Sequence, residues 1–110
     1  MRIFVAAAAL ALALAACSPS ETMNPPPSAN ACPATITIGP GNIYSVTSCT
    51  IKVGAEVTII ANNTHPLNGS GVKTINAATT DQKLAFATPG VFNFNCTVHS
   101  GMTGKITVEN

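Results

Sequence analysis

Cys96, His99 and Met102 share one short stretch, Cys96-Thr97-Val98-His99-Ser100-Gly101-Met102, and bring a thiolate, an imidazole and a thioether together. Soft sulfur stabilises Cu(I) while imidazole serves both Cu(I) and Cu(II), so this donor set suits copper. Zinc would favour another Cys, His or carboxylate over a thioether. A trigonal plane of two His and one Cys, with Met as a long axial contact, needs a second imidazole. The chain contains 2 histidines, and the other is His65. Each residue alone has a plainer reading: a surface His, an inert buried Cys, a Met filling space. Their concurrence argues for a metal site. A Cys and a His three residues apart also allow a nucleophile–base pair, but no orienting third group is evident. A Cys-x-x-Cys-His haem attachment run is absent from the sequence.

The elements that must position these donors are strands. From Ala31 onward, short runs rich in Val, Ile, Thr and Phe are punctuated by Gly, Pro and Asn, and no helical period is sustained. Strands are expected at Thr35 to Ile38, Tyr44 to Val46, Thr50 to Val53, Glu56 to Asn62, Lys83 to Ala87, Gly90 to Cys96 and Lys105 to Val108. Breaks are expected at Gly39-Pro40-Gly41, Gly54-Ala55, Pro66 to Gly71 and Pro89-Gly90. In Val91-Phe92-Asn93-Phe94-Asn95-Cys96 the alternation puts Phe92, Phe94 and Cys96 on one face. About seven short strands make an all-β sandwich of two facing sheets. Cys96 and His99 then sit at a strand end and the loop after it, with Gly101 and Gly104 permitting a tight path. His65 follows the strand ending at Asn62 and can reach the same pole.

A sandwich this small, with no Trp, buries a limited core and benefits from a covalent staple. Cys32 and Cys49 precede the first and third strands. A bridge between them is the favoured pairing, worth about 3 kcal/mol through loop closure. Two free thiols, or a bridge from either to Cys96, are the alternatives.

Residues 1–30 lie outside this domain. Met1-Arg2 and the apolar run from Ile3 to Ala16 form a positive n-region and an h-region too short to span a bilayer comfortably. Leu14-Ala15-Ala16-Cys17 resembles the lipobox of bacterial lipoproteins, which implies a signal peptide over 1–16 and lipidation at Cys17. An ordinary secretory cleavage would instead strand a free thiol. Residues 17–30, centred on Pro25-Pro26-Pro27, read as a semi-rigid tether. The domain at 31–110 is thus expected outside the cytoplasm, lipid-anchored in the cell envelope and facing the periplasm. Net charge is +1 at pH 7, so no basic footprint for nucleic acid exists and docking must rest on apolar contacts.

Thr88 to Cys96, the ligand loop, and Gly104-Lys105-Ile106-Thr107-Val108 resemble the last two strands of the blue-copper (cupredoxin) family, including plastocyanin, amicyanin and pseudoazurin. Ile51 to Thr58 followed by Asn62-Asn63-Thr64-His65 resembles the strands leading to that family's first ligand. The Cys-x-x-His-x-x-Met spacing is similar to the short loop of amicyanin. The resemblance covers Ala31 to Asn110 and implies a Greek-key sandwich holding one type 1 copper ion on His65, Cys96, His99 and an axial Met102. Family members carry Asn directly after the first His; here Pro66 stands there, leaving Asn63, Asn68 or Thr97 to tie the loops.

The implied function is single-electron transfer with a transient protein partner, as a monomer and not as an enzyme. His99 would be the electron port, within a docking patch of Pro66, Leu67, Val98 and Gly101. Copper trafficking or storage is the alternative function, although exposed Met- and His-rich runs are lacking. Copper oxidases and nitrite reductases require histidines that this chain does not have.

Overall fold

The computed structural model describes residues 30–110; the expected signal peptide, Cys17 and all of the tether but Asn30 lie outside them. Ten strands occur in chain order: β1 (Thr35–Ile36), β2 (Ile38–Gly39), β3 (Ile43–Tyr44), β4 (Ser48–Lys52), β5 (Glu56–Ile59), β6 (Leu67–Gly71), β7 (Ile75–Ala78), β8 (Gln82–Ala85), β9 (Gly90–Cys96) and β10 (Thr103–Glu109). They form a five-stranded sheet ordered β4-β10-β9-β6-β7, a three-stranded sheet ordered β1-β5-β8, and the hairpin β2-β3. The fold is an all-β sandwich.

Alternation decides which faces meet. In β9, Phe92, Phe94 and Cys96 are buried while Val91 and Asn93 are exposed. Ile106 and Val108 of β10 and Cys49 and Ile51 of β4 continue the same apolar layer. Ile36, Val57, Ile59, Leu84 and Phe86 add the buried residues of the three-stranded sheet and its flank. Among the described residues no polar or charged residue apart from Tyr44 is fully enclosed in this core. Cys32 and Cys49 are disulfide-bonded, joining the start of the domain to β4. Asn30, assigned to the tether by the sequence, already accepts the Thr50 amide at 2.8 Å, and Cys32 N–H donates to the Thr50 carbonyl at 2.9 Å.

The expected break at Pro66 to Gly71 is wrong. Leu67–Gly71 is β6, an inner strand of the larger sheet, paired antiparallel to β9 on one side and to β7 on the other. Asn, Gly and Ser make it read as a turn, yet its backbone pairs with β9 along its whole length and with β7, across a bulge, on the other edge. β7 was missed altogether, because Ile75-Asn76-Ala77-Ala78 has a single buried apolar side chain and no alternation to read. The expected first strand splits into β1 and β2, and the expected fourth stops at Ile59.

β9 and β10 meet through an aromatic lying over a glycine. Gly104 is directly opposite Phe94, and a Cβ there would overlap the Phe94 ring. That ring cannot easily retreat: Tyr44 meets it edge-on with centroids 4.9 Å apart, and Phe92 lies 6.2 Å away on another side. The role of Gly104 is therefore close packing inside a strand, not the tight loop path expected from sequence. Gly104→Ala should destabilise the domain by about 1–3 kcal/mol through overpacking. The check is a lower urea midpoint at unchanged m; an unchanged midpoint would contradict this packing.

Candidate metal centre

β9 delivers Cys96, at 3 % exposure, to the end of the core with its side chain facing inward. Chain direction then reverses within six residues, and β10 begins directly after Met102, at 1 % exposure. Two backbone bonds shape the reversal: Cys96 N–H donates to the Met102 carbonyl at 2.9 Å, and Met102 N–H donates to the His99 carbonyl at 3.2 Å. The second closes a turn over His99-Ser100-Gly101-Met102. Its third position needs a positive φ, and Gly101 has φ 82°. The turn folds His99 back over the strand end, placing its Nδ1 3.4 Å from Cys96 Sγ.

His65 arrives from the other side of the pole. Asn62 Oδ1 accepts the Thr64 and His65 amides at 3.0 and 2.9 Å, an Asx turn that fixes the backbone just before β6. The loop is tied to the Cys96 loop by Thr97 N–H donating to the Pro66 carbonyl at 3.0 Å. Pro66 lacks an N–H, but its carbonyl supplies the cross-link. Of the tie candidates, Thr97 acts through its backbone, Asn68 instead accepts the Ala77 amide, and the anchoring side chain is Asn62, not Asn63. The His65 and His99 rings lie side by side with centroids 4.7 Å apart, tilted by 32°.

Cys96, His99 and His65 thus gather at one end of the sandwich, with Met102 buried where the same loop enters β10. Two ligands of one first-row metal, at bonds of about 2.3 Å to sulfur and about 2.0 Å to nitrogen, lie roughly 3.5 to 3.7 Å apart. The Cys96–His99 separation is close to that. His65 is engaged elsewhere: its Nδ1 is 3.0 Å from Thr64 Oγ1 and its Nε2 is 3.2 Å from Asn42 Oδ1. Among the described residues no group of three His, Cys, Asp or Glu side chains is arranged to hold a metal ion. Two imidazoles, one thiol free of the disulfide and one thioether nevertheless fit the chemistry of a copper ion.

One docking assignment is corrected. Leu67 has 0 % exposure and sits opposite Cys96 in the β6–β9 ladder, so it packs beneath the site and meets no partner. Val98, at 60 % exposure, Gly101 and half-buried Pro66 are at the surface around half-buried His99.

Comparison with known proteins agrees with this architecture. No protein-family model and no curated protein sequence matches the chain. A purple cupredoxin from Nitrosopumilus maritimus is similar in structure at 26 % identity and TM-score 0.52, the match covering 70 % of this chain and 100 % of that one. A reduced amicyanin variant matches at 26 % identity and TM-score 0.52, over 68 % of this chain and 80 % of that one. A copper-containing nitrite reductase from Thermus scotoductus matches at 20 % identity and TM-score 0.56, over 72 % of this chain but 23 % of its own, a likeness of fold alone. The chain has a cupredoxin-like fold.

Tyr44 was not singled out from sequence, since nothing local distinguishes it from a core aromatic. Its hydroxyl is buried without a hydrogen-bond partner. Burial, with a smaller contribution from negative charge at Cys96, pushes its pKa up from 10.0 to about 12. A raised folded-state value means stability is fully present below pH 10 and is lost as pH rises from there toward about 12. Tyr44→Phe should abolish that alkaline loss and leave neutral-pH stability unchanged or higher, because an orphaned hydroxyl is removed. As the chain has 1 tyrosine, phenolate absorbance reads the titration directly; a midpoint near the ordinary value would refute the burial argument.

Proposed function

We propose that this chain is an electron carrier in which His65, Cys96 and His99 would hold one type 1 copper ion and Met102 would add a weaker thioether contact. The observation that carries it is the convergence at one pole of a cupredoxin-like sandwich: Cys96 Sγ 3.4 Å from His99 Nδ1, with the His65 ring beside His99. Bound there, copper supplies a one-electron Cu(I)/Cu(II) couple.

The residues do the remainder. Cys96 and Met102 favour the reduced ion, the two imidazoles serve either state, and the mixture disfavours a large rearrangement between them. Cys96 and Met102 lie in the core and exclude water. His99, half-buried, is the port through which the electron leaves, and Val98, Pro66 and Gly101 around it offer a small apolar surface for a transient redox partner. The nitrite reductase likeness spans one part of that enzyme, and this chain has no third histidine for a further copper, so it acts as a carrier and not as an enzyme. Lipid anchoring through Cys17 and an extracytoplasmic location rest on the leader and the Leu14 to Cys17 run, and belong to the proposal.

The test is to add Cu(II) to the purified protein and record visible and paramagnetic-resonance spectra. The expected result is an intense thiolate-to-copper absorption, absent in Cys96→Ser, and copper retained through repeated oxidation and reduction. A pale protein, or intense colour that survives Cys96→Ser, would overturn the assignment. Rapid loss of copper in one oxidation state would mark a metal donor instead.

A further inference from the structure

The β2-β3 hairpin carries a side chain that reaches the site. Its tip is Pro40-Gly41-Asn42, and Asn42 holds a left-handed backbone with φ 55°. Asparagine tolerates that conformation better than most residues, which would be reason enough for its presence in a turn. Its carboxamide, however, is 3.2 Å from His65 Nε2, across 23 positions of sequence. We propose that Asn42 is a positioning residue for His65: its Oδ1 accepts Nε2–H, holds the proton on that nitrogen, and leaves the lone pair on Nδ1 for the metal.

The neighbouring hydroxyl permits this arrangement. Thr64 Oγ1 donates its one proton to Asn62 Oδ1 at 2.7 Å and lies 3.0 Å from His65 Nδ1. With that proton held by Asn62, the hydroxyl makes no claim on the Nδ1 lone pair, and turning the ring nitrogen to another partner costs little. The opposite tautomer would set an Nε2 lone pair against the Asn42 oxygen. An acceptor on the remote N–H also makes an imidazole a stronger donor, which benefits Cu(II) more than Cu(I). Asn42 thus both selects the tautomer and lowers the potential. This inference rests on the copper reading for its second half; the tautomer does not.

Asn42→Gly separates the alternatives, because glycine keeps the left-handed turn and removes only the carboxamide. The full chain, labelled with 15N at its 2 histidines, reports each ring tautomer without metal. Wild type should show His65 protonated on Nε2 at a pH where the ring is neutral, and Asn42→Gly should shift the proton partly to Nδ1. Cu(II) affinity should fall about 10–100-fold in the variant. Each tenfold loss relative to Cu(I) raises the potential by about 59 mV. Asn42→Asp, which keeps an acceptor oxygen, should restore both. A wild-type tautomer and Cu(II) affinity in Asn42→Gly would overturn the role, as would a wild-type His65 protonated on Nδ1. Wild type that holds the Nε2 tautomer yet binds no copper would leave Asn42's control of the ring intact and defeat the copper reading alone.

Discussion

The hydrogen bond from Cys96 N–H to the Met102 carbonyl is the constraint on which the site depends. It continues the β9–β10 pairing one step past the strand ends, so the chain leaving Cys96 must come back to Cys96. Only a short loop with a tight turn satisfies it, and Gly101 supplies the one left-handed position the turn needs. His99 is then held over the sulfur by geometry that already exists in the backbone. Two amide contacts thus set the backbone that brings the Cys96 thiol and the His99 ring to 3.4 Å of each other.

The sandwich beneath transmits its rigidity to that loop. Phe94 is wedged between Gly104, Tyr44 and Phe92, which locks β9 against β10 two residues before Cys96. Leu67, fully enclosed opposite Cys96, locks β9 against β6. The His65 loop lies between that anchor and the Asn62 turn, and the Thr97–Pro66 bond joins it to the Cys96 loop. Pole and core are therefore one packed unit. A metal bound by these residues would meet a frame with little freedom to follow its changing preferences, a favourable setting for fast electron exchange.

Local sequence made the donor loop readable. Cys96, His99 and Met102 are near neighbours, and β9 alternates so cleanly that the inward direction of Cys96 follows from Phe92 and Phe94. The Cys32–Cys49 bridge followed from the number of cysteines and the expected export. Legibility failed where residue type and structural role part company. Gly69 and Ser70 resemble a turn but form an inner strand, since backbone pairing on both edges outweighs weak β-propensity. Leu67 reads as a docking residue because it is apolar and two positions from His65; register puts its side chain on the buried face. Asn42 and Tyr44 lie far from the donors in sequence and come near them only through the hairpin. The Asn62-Asn63-Thr64 turn carries a readable signal, an Asn two and three residues before the amides it caps, but two adjacent asparagines leave open which one does so.

A crystal structure of the copper-loaded chain tests the central claim most directly. The account predicts one ion bonded to His65 Nδ1, His99 Nδ1 and Cys96 Sγ, with Met102 sulfur at a longer distance and His65 Nε2 still paired with Asn42. Copper held by His99 and Cys96 alone, with the His65 ring remaining on the Thr64 hydroxyl, would contradict it.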